Sequence, residues 1–284
     1  MLSVKRITTR PASAPGTLSG CCSLPGCDVG RVIKGEVLDV EDNAVTVALQ
    51  GLGCLPPGAK PDVWLFKKVA EAAIKAHADG GVWKAYGKFN LSAPSRNQNI
   101  AELRNYFSRI GCTDFAEAIS RLVSYTEKRY THKVTAVQIN MHFTSASHHK
   151  QHRDIYSLDQ ADRAGRNCTC SFKTSVATAC FTVGSSRRLL VQTEMDKYSP
   201  RKKCSAECEG EWKKPWLHSG SLVYFNDKWN KSHTHGIPRH DVEHDGECGA
   251  RVSFALLCSD GNPVCAMEPS LSIQMPTAVL DADY

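Results

Sequence analysis

VTAVQINMHF, Val134 to Phe143, is where the chain changes period, and that change decides the fold class. Val137, Ile139, Met141 and Phe143 fall on one side of an extended backbone, and Gln138, Asn140 and His142 on the other. A polar face of this kind suits a strand that lines a buried polar pocket; an ordinary half-exposed strand gives the same pattern. Downstream the short apolar stretches continue. Ala177 to Val183, a Gly184-Ser185-Ser186 turn and Leu189 to Thr193 read as paired strands. Ser221 to Phe225 reads as a strand after a Ser-Gly turn, and Arg251 to Leu257 alternates Arg251, Ser253 and Ala255 against Val252, Phe254 and Leu256. Several short strands separated by turns predict a double-stranded β-helix, or jelly roll.

Upstream the period is helical. A helix is expected from Asp62, with Leu65, Phe66, Val69, Ala73 and Ile74 on one face and Gly80-Gly81 as its stop. Ile100, Leu103, Phe107 and Ile110 make a second stripe ended by Gly111, and Asp114-x-x-Glu117 resembles a capping box before Ile119, Leu122 and Val123. Alternation in VIKGEVLDV and NAVTVAL around Glu41-Asp42-Asn43 reads as a β-hairpin. The expected class is therefore α+β, a jelly-roll core with N-terminal helices packed on it. The expected division is a disordered basic segment at 1–30, a hairpin and helical extension or lid at 31–132, the jelly roll at 133–258 and a loose tail at 259–284.

Composition narrows the function classes. The chain has 284 residues and a formal charge of +6, with basic pairs such as Lys128-Arg129 and Lys213-Lys214 that meet phosphates or are simply solvated. No apolar run is long enough to span a bilayer, so a soluble, intracellular protein is expected, nuclear or cytoplasmic, with no membrane partner. The first 27 residues hold Lys5, Arg6 and Arg10 and no acid, which is the composition of an organellar transit peptide and equally of a basic tail. The 13 cysteines are odd in number with no secretory segment ahead of them, so free thiols are expected. Cys168-x-Cys170 and Cys204-x3-Cys208 have zinc-like spacing, each without a second half at standard separation.

The polar strand leads into His152-Arg153-Asp154. A histidine and a carboxylate two residues apart on extended backbone project to the same side, and a second histidine from the HTHGIP stretch at 233 to 238 completes a two-histidine, one-carboxylate set. Such a facial triad leaves open positions on a non-haem Fe(II) for a cosubstrate and O2. His233 and His235 alternate onto the same strand face and compete for the third ligand position; the Gly-Ile-Pro context favours His235. Arg251, 16 residues after His235, is placed to bind the far carboxylate of an acid such as 2-oxoglutarate.

In order, Asn140-x-His142, His152-x-Asp154, GSSRRLL at 184 to 190, HSGSLVYF at 218 to 225, HTHGIP at 233 to 238 and RVSF at 251 to 254 resemble the AlkB-like branch of the Fe(II)/2-oxoglutarate dioxygenases, over about residues 120 to 258. The resemblance implies that His152, Asp154 and His235 ligate iron. It also implies that Arg251, with Ser253, Asn140 and His142, holds the cosubstrate, His142 standing where the family commonly has tyrosine. It further implies oxidative demethylation or hydroxylation, with an N-alkylated nucleobase in DNA or RNA as the expected substrate.

Two departures bear on substrate. Leu257 stands where the family motif has a second arginine, and Tyr156 stands near the place where nucleic-acid-repairing members carry another acid. Trp83 and Tyr86 in GVWKAYGKF are candidates for a base-stacking lid, with Lys84 and Lys88 of the same stretch available to phosphates; core aromatics would look the same. The same oxygenase chemistry on a protein side chain or small metabolite, and a non-catalytic jelly-roll binding module, are the competing functions.

Overall fold

The computed structural model describes residues 36–85, 87–96, 98–154, 156, 175–193, 216–239 and 249–260. The basic N-terminal segment, Tyr86, the zinc-like cysteine pairs, and nearly all of the charged loops and acidic tail lie outside them.

The alternating C-terminal strand is the centre of the molecule. Strand β12 (Arg251–Ser259) runs antiparallel between β4 (Lys133–His142) and β6 (Ala177–Gly184). Beyond β6 come β10 (Leu222–Asn226) and β1 (Leu38–Glu41); beyond β4 come β3 (Lys88–Leu91) and β2 (Val82–Ala85). The result is a seven-stranded antiparallel sheet of order β1-β10-β6-β12-β4-β3-β2. A second sheet, β5-β11-β8, is made of His149–His152, His233–Ile237 and Leu190–Thr193, and β7 (Arg187–Arg188) pairs with β9 (Trp216–Leu217). The architecture is α+β, a double-stranded β-helix core with N-terminal helices on one face.

Period-two alternation gives the large sheet two different faces. Val252, Phe254 and Leu256 of β12, Val137, Ile139 and Met141 of β4, and Phe181 and Val183 of β6 face the helices. Those helices are α1 (Ala44–Ala48), α2 (Pro61–His77), α3 (Ile100–Arg109) and α4 (Thr113–Tyr130). Helix α2 starts with Pro61 in its first turn, where a missing N–H costs nothing, and carries Lys75 and His77 in its last. Helix α3 is capped by Asn99, whose side chain accepts from the Ala101 and Glu102 amides. Phe107 and Phe115 meet edge to face at 4.8 Å, and Phe115 reaches Phe254 at 6.2 Å. A second apolar cluster lies between the sheets, with Val223 and Phe225 from one and Val191 and Ile237 from the other.

Several expectations need correction. The described part of the expected hairpin is strand β1 followed by helix α1, and β1 pairs with distant β10. Ala44, Val45, Ala48, Leu49 and Leu52 are the buried positions, which is helical spacing; the β-branched residues disguised it. Helix α2 turns Trp64, Leu65, Val69, Ala72 and Ala76 inward and leaves Ile74 exposed. No side-chain cap forms at α4: Asp114 pairs with Lys68, and Glu117 with Arg121. Strands β6 and β8 do not pair with each other. After the Gly184 turn β8 joins β11 in the other sheet. Ser259, placed in the tail by composition, closes β12. Among the described residues no helix is long and apolar enough to cross a membrane.

Candidate metal centre

Strands β5 and β11 pair so that His152 and His235 stand directly opposite one another, with ring centroids 4.4 Å apart. Gly236 makes this register possible, since a Cβ there would lie 2.7 Å from the His149 carbonyl oxygen. Asp154 follows β5 and turns its Oδ1 to both rings, 3.4 Å from His152 Nε2 and 3.6 Å from His235 Nε2. One ligand atom from each of the three lies within 4.8 Å of the others.

The surrounding hydrogen bonds leave those atoms open. His152 Nδ1 is 2.9 Å from the Lys150 carbonyl oxygen, which only accepts, so Nδ1 carries a proton and Nε2 is the ring nitrogen turned to Asp154. Thr178 Oγ1 donates to Asp154 Oδ2 at 2.6 Å, and Tyr156 hydroxyl, 2.7 Å from Thr178 Oγ1, therefore donates to it. Asn230, on helix α5 (Asp227–Ser232), clamps the Asp154 backbone at both ends: its Oδ1 accepts from the amide at 2.9 Å and its Nδ2 donates to the carbonyl at 2.8 Å. Burial pushes the Asp154 pKa up, but His235, His152 and the Thr178 hydroxyl outweigh it and hold the carboxyl at about 2. Burial pushes His235 down to about 4 against the pull of Asp154. For Asp154 and His235 these are the ionised carboxylate and neutral imidazole in which such groups bind a divalent metal.

The face of the large sheet turned toward this centre is polar. Register places Asn140 between Asn90 and Ser253, and His142 beside Arg251. Arg251 is 2% exposed, and its guanidinium makes no hydrogen bond or ion pair with any described residue. Lys88 is 1% exposed, and its Nζ donates to Asn140 Oδ1 at 2.6 Å. Burial lowers Arg251 to about 10 and Lys88 to about 8, so both remain cationic at neutral pH. His142 is held neutral, down to about 2, by burial and by Arg251, Arg187 and Lys88.

Packing separates the two histidines of β11. His233 lies flat on Trp229, with centroids 4.8 Å apart and planes at 8°, and His235 alone of the two joins the convergent set. Tyr156 is buried beneath Asp154 among the residues between the sheets, so it supports the centre from below. Trp83 is half-buried, with the Arg96 guanidinium 5.2 Å from its ring centroid. Lys88, which the sequence grouped with Lys84 as a surface cation, is interior. Residues that sequence reasoning passed over are Asn230 and Thr178, for which the local sequence holds no signal. Lys88 had one: it alternates with Asn90 on a strand.

No protein-family model matches the chain, and no curated protein matches it. Among solved structures, that of OsALKBH1 is similar at 12% identity, covering 78% of this chain and 96% of that one, with a TM-score of 0.41. A prolyl hydroxylase from Trichoplax adhaerens, in complex with a hypoxia inducible factor oxygen degradation domain peptide fragment, is similar at 11% identity, covering 77% of this chain and 88% of that one, with a TM-score of 0.38.

Proposed function

We propose that the chain is an Fe(II)- and 2-oxoglutarate-dependent dioxygenase that oxidatively demethylates or hydroxylates its substrate, an N-alkylated nucleobase in DNA or RNA. One observation carries the chemistry. Three convergent ligand atoms stand opposite a polar sheet face that buries an arginine and a lysine that no described carboxylate contacts. A metal alone accounts for the first feature and a dicarboxylate for the second. Together they fit an ion that works with an acid cosubstrate.

His152, Asp154 and His235 are the residues that would hold the ion. Bound there, iron supplies the activation of O2, one oxygen atom entering succinate as 2-oxoglutarate loses carbon dioxide and the other entering a substrate C–H bond. Thr178 and Asn230 fix Asp154 so that Oδ1 stays available. The Arg251 fork matches the distal carboxylate with two charge-assisted hydrogen bonds. Asn140, whose Oδ1 is occupied by Lys88, has its amide protons left to donate to the cosubstrate. A hydroxylated N-methyl group breaks its C–N bond and leaves as formaldehyde. For the substrate class, the support is the Arg96 guanidinium lying over the half-buried Trp83 ring, a cationic aromatic surface of the kind on which a base stacks.

The test is anaerobic addition of Fe(II) and then 2-oxoglutarate, reading the visible charge-transfer absorption, with His152→Ala as control. The band is expected with the parent protein and not with the variant; a folded, metal-loaded parent without a band is not a 2-oxoglutarate dioxygenase. Succinate release is then screened with methylated oligonucleotides against peptides and metabolites, and salt-insensitive turnover of a peptide alone would displace nucleic acid as the substrate.

A further inference from the structure

The large sheet buries a second cation for which the triad has no use. Lys88 lies on β3, and the register that pairs Phe89 with Met141 and Asn90 with Asn140 puts it on the inner, polar face, next in the row to His142 and Arg251. Its ammonium has three donors, and among the described residues the one hydrogen bond it makes is to Asn140 Oδ1. No described carboxylate lies within hydrogen-bond or ion-pair distance of it; the acid whose field reaches it is Asp154, at the metal centre. Asp154 cannot serve as its partner, since Oδ2 is taken by Thr178 and Oδ1 faces the two histidine rings. A buried ammonium left in this state calls for an anion that arrives from outside.

The position is built into the fold. The residue before Lys88 is Gly87, at φ +79°, where a Cβ would lie 2.4 Å from the His148 ring, and the His148 amide donates to the Gly87 carbonyl at 3.1 Å. The turn that delivers Lys88 is thus locked to the loop between β4 and β5. Across the same face, β12 offers no cation at its far end. Leu257, opposite Thr178, packs with the apolar residues between the sheets.

We propose that Lys88 is the second cation of the anion pocket, binding the keto-acid end of the cosubstrate on the metal's side while Arg251 binds the distal carboxylate. This rests on the dioxygenase function proposed above. Two cations from opposite parts of one sheet face, β3 and β12, then bracket a dianion, and the edge hairpin that carries Trp83 becomes part of the cosubstrate site.

The test compares the parent protein with Lys88→Met, which keeps an unbranched side chain one atom shorter and removes its charge, and with Lys88→Arg, which keeps the charge. Anaerobic Fe(II) protein is titrated with 2-oxoglutarate and with 2-oxovalerate, which retains the keto-acid end and lacks the distal carboxylate. Lys88→Met is expected to weaken both ligands about 30-fold, the size of one charge-assisted hydrogen bond. Fe(II) affinity should be unchanged and the ligand-free Tm no lower than the parent's, and Lys88→Arg should recover part of the loss. Unchanged titrations in Lys88→Met overturn the proposal. So does a loss confined to 2-oxoglutarate, which would put Lys88 at the other end, or a variant that loses Fe(II) or Tm and is restored by no charge, which would make Lys88 structural. If the parent binds Fe(II) but neither keto acid, the dioxygenase function itself fails, and Lys88 with it.

Discussion

The two faces of the seven-stranded sheet are made by the same strands and have opposite character. On β12, Val252, Phe254 and Leu256 look outward to the helices, and Arg251 and Ser253 look inward to the candidate metal centre. On β4, Val137, Ile139 and Met141 alternate with Asn140 and His142 in the same way. Successive residues thus divide the work. The outer face removes apolar surface from water and stabilises the fold, and the inner face holds buried polar groups that cost stability until a ligand satisfies them. Substitutions on the outer face should therefore lower stability and spare binding, and substitutions on the inner face should do the reverse.

The largest effect is expected on the outer face. Phe254 is fully buried and packs on Phe115 across the sheet-helix interface. Phe254→Ala should lower the unfolding free energy by about 3–5 kcal/mol, the usual cost of emptying a buried aromatic site. Urea unfolding measures it, and Fe(II) titration of the folded fraction should match the parent. Loss of metal affinity in protein that is still folded would break the division between the faces.

The inner face should answer differently. Arg251→Met removes a buried guanidinium that no described residue neutralises, so the ligand-free protein should be as stable as the parent or more so. The 2-oxoglutarate requirement should rise about 100-fold with the loss of a bidentate contact, while Fe(II) binding is kept. A ligand-free variant that is several kcal/mol less stable would show that Arg251 holds the fold together and that the inner face is structural as well.

Much of this two-faced sheet was legible in the sequence because alternation is local. VTAVQINMHF and RVSFALL each state which residues face inward before any partner strand is known, and His-x-Asp followed by HTHGIP names the three side chains that converge opposite the polar face. Pairing between distant strands was not legible. Whether Leu190 joins Ala177 across a turn or crosses to β11 depends on which sheet has an open edge, and no local pattern records that. The short helix at Ala44–Ala48 was misread because Val45 and Val47 favour strands locally, whereas Val45 is helical here with its amide bonded to the Gly220 carbonyl oxygen. Asn230 and Thr178 were invisible for a related reason. Each acts on Asp154 from a separate element, and only the folded chain brings them together.

The smallest predicted effect concerns the proton balance of the inner face. His142 is buried, and the groups facing it are the cations Lys88, Arg251 and Arg187, so its pKa is depressed from 6.5 to about 2. The ring is neutral in the folded protein and takes up a proton on unfolding whenever the pH is below its ordinary value. Its contribution to stability is therefore fully present above pH 6.5 and is lost as the pH falls toward the folded value, at about 1.4 kcal/mol per pH unit for one proton. His142→Phe removes that proton and leaves the other buried histidines in place. Unfolding free energies of the metal-free protein between pH 6.5 and pH 5 should fall less steeply for the variant than for the parent by about that amount per unit. Equal slopes would mean that His142 is charged in the folded state, and that the inner face already contains an acid able to hold three cations, contrary to the difference between the two faces.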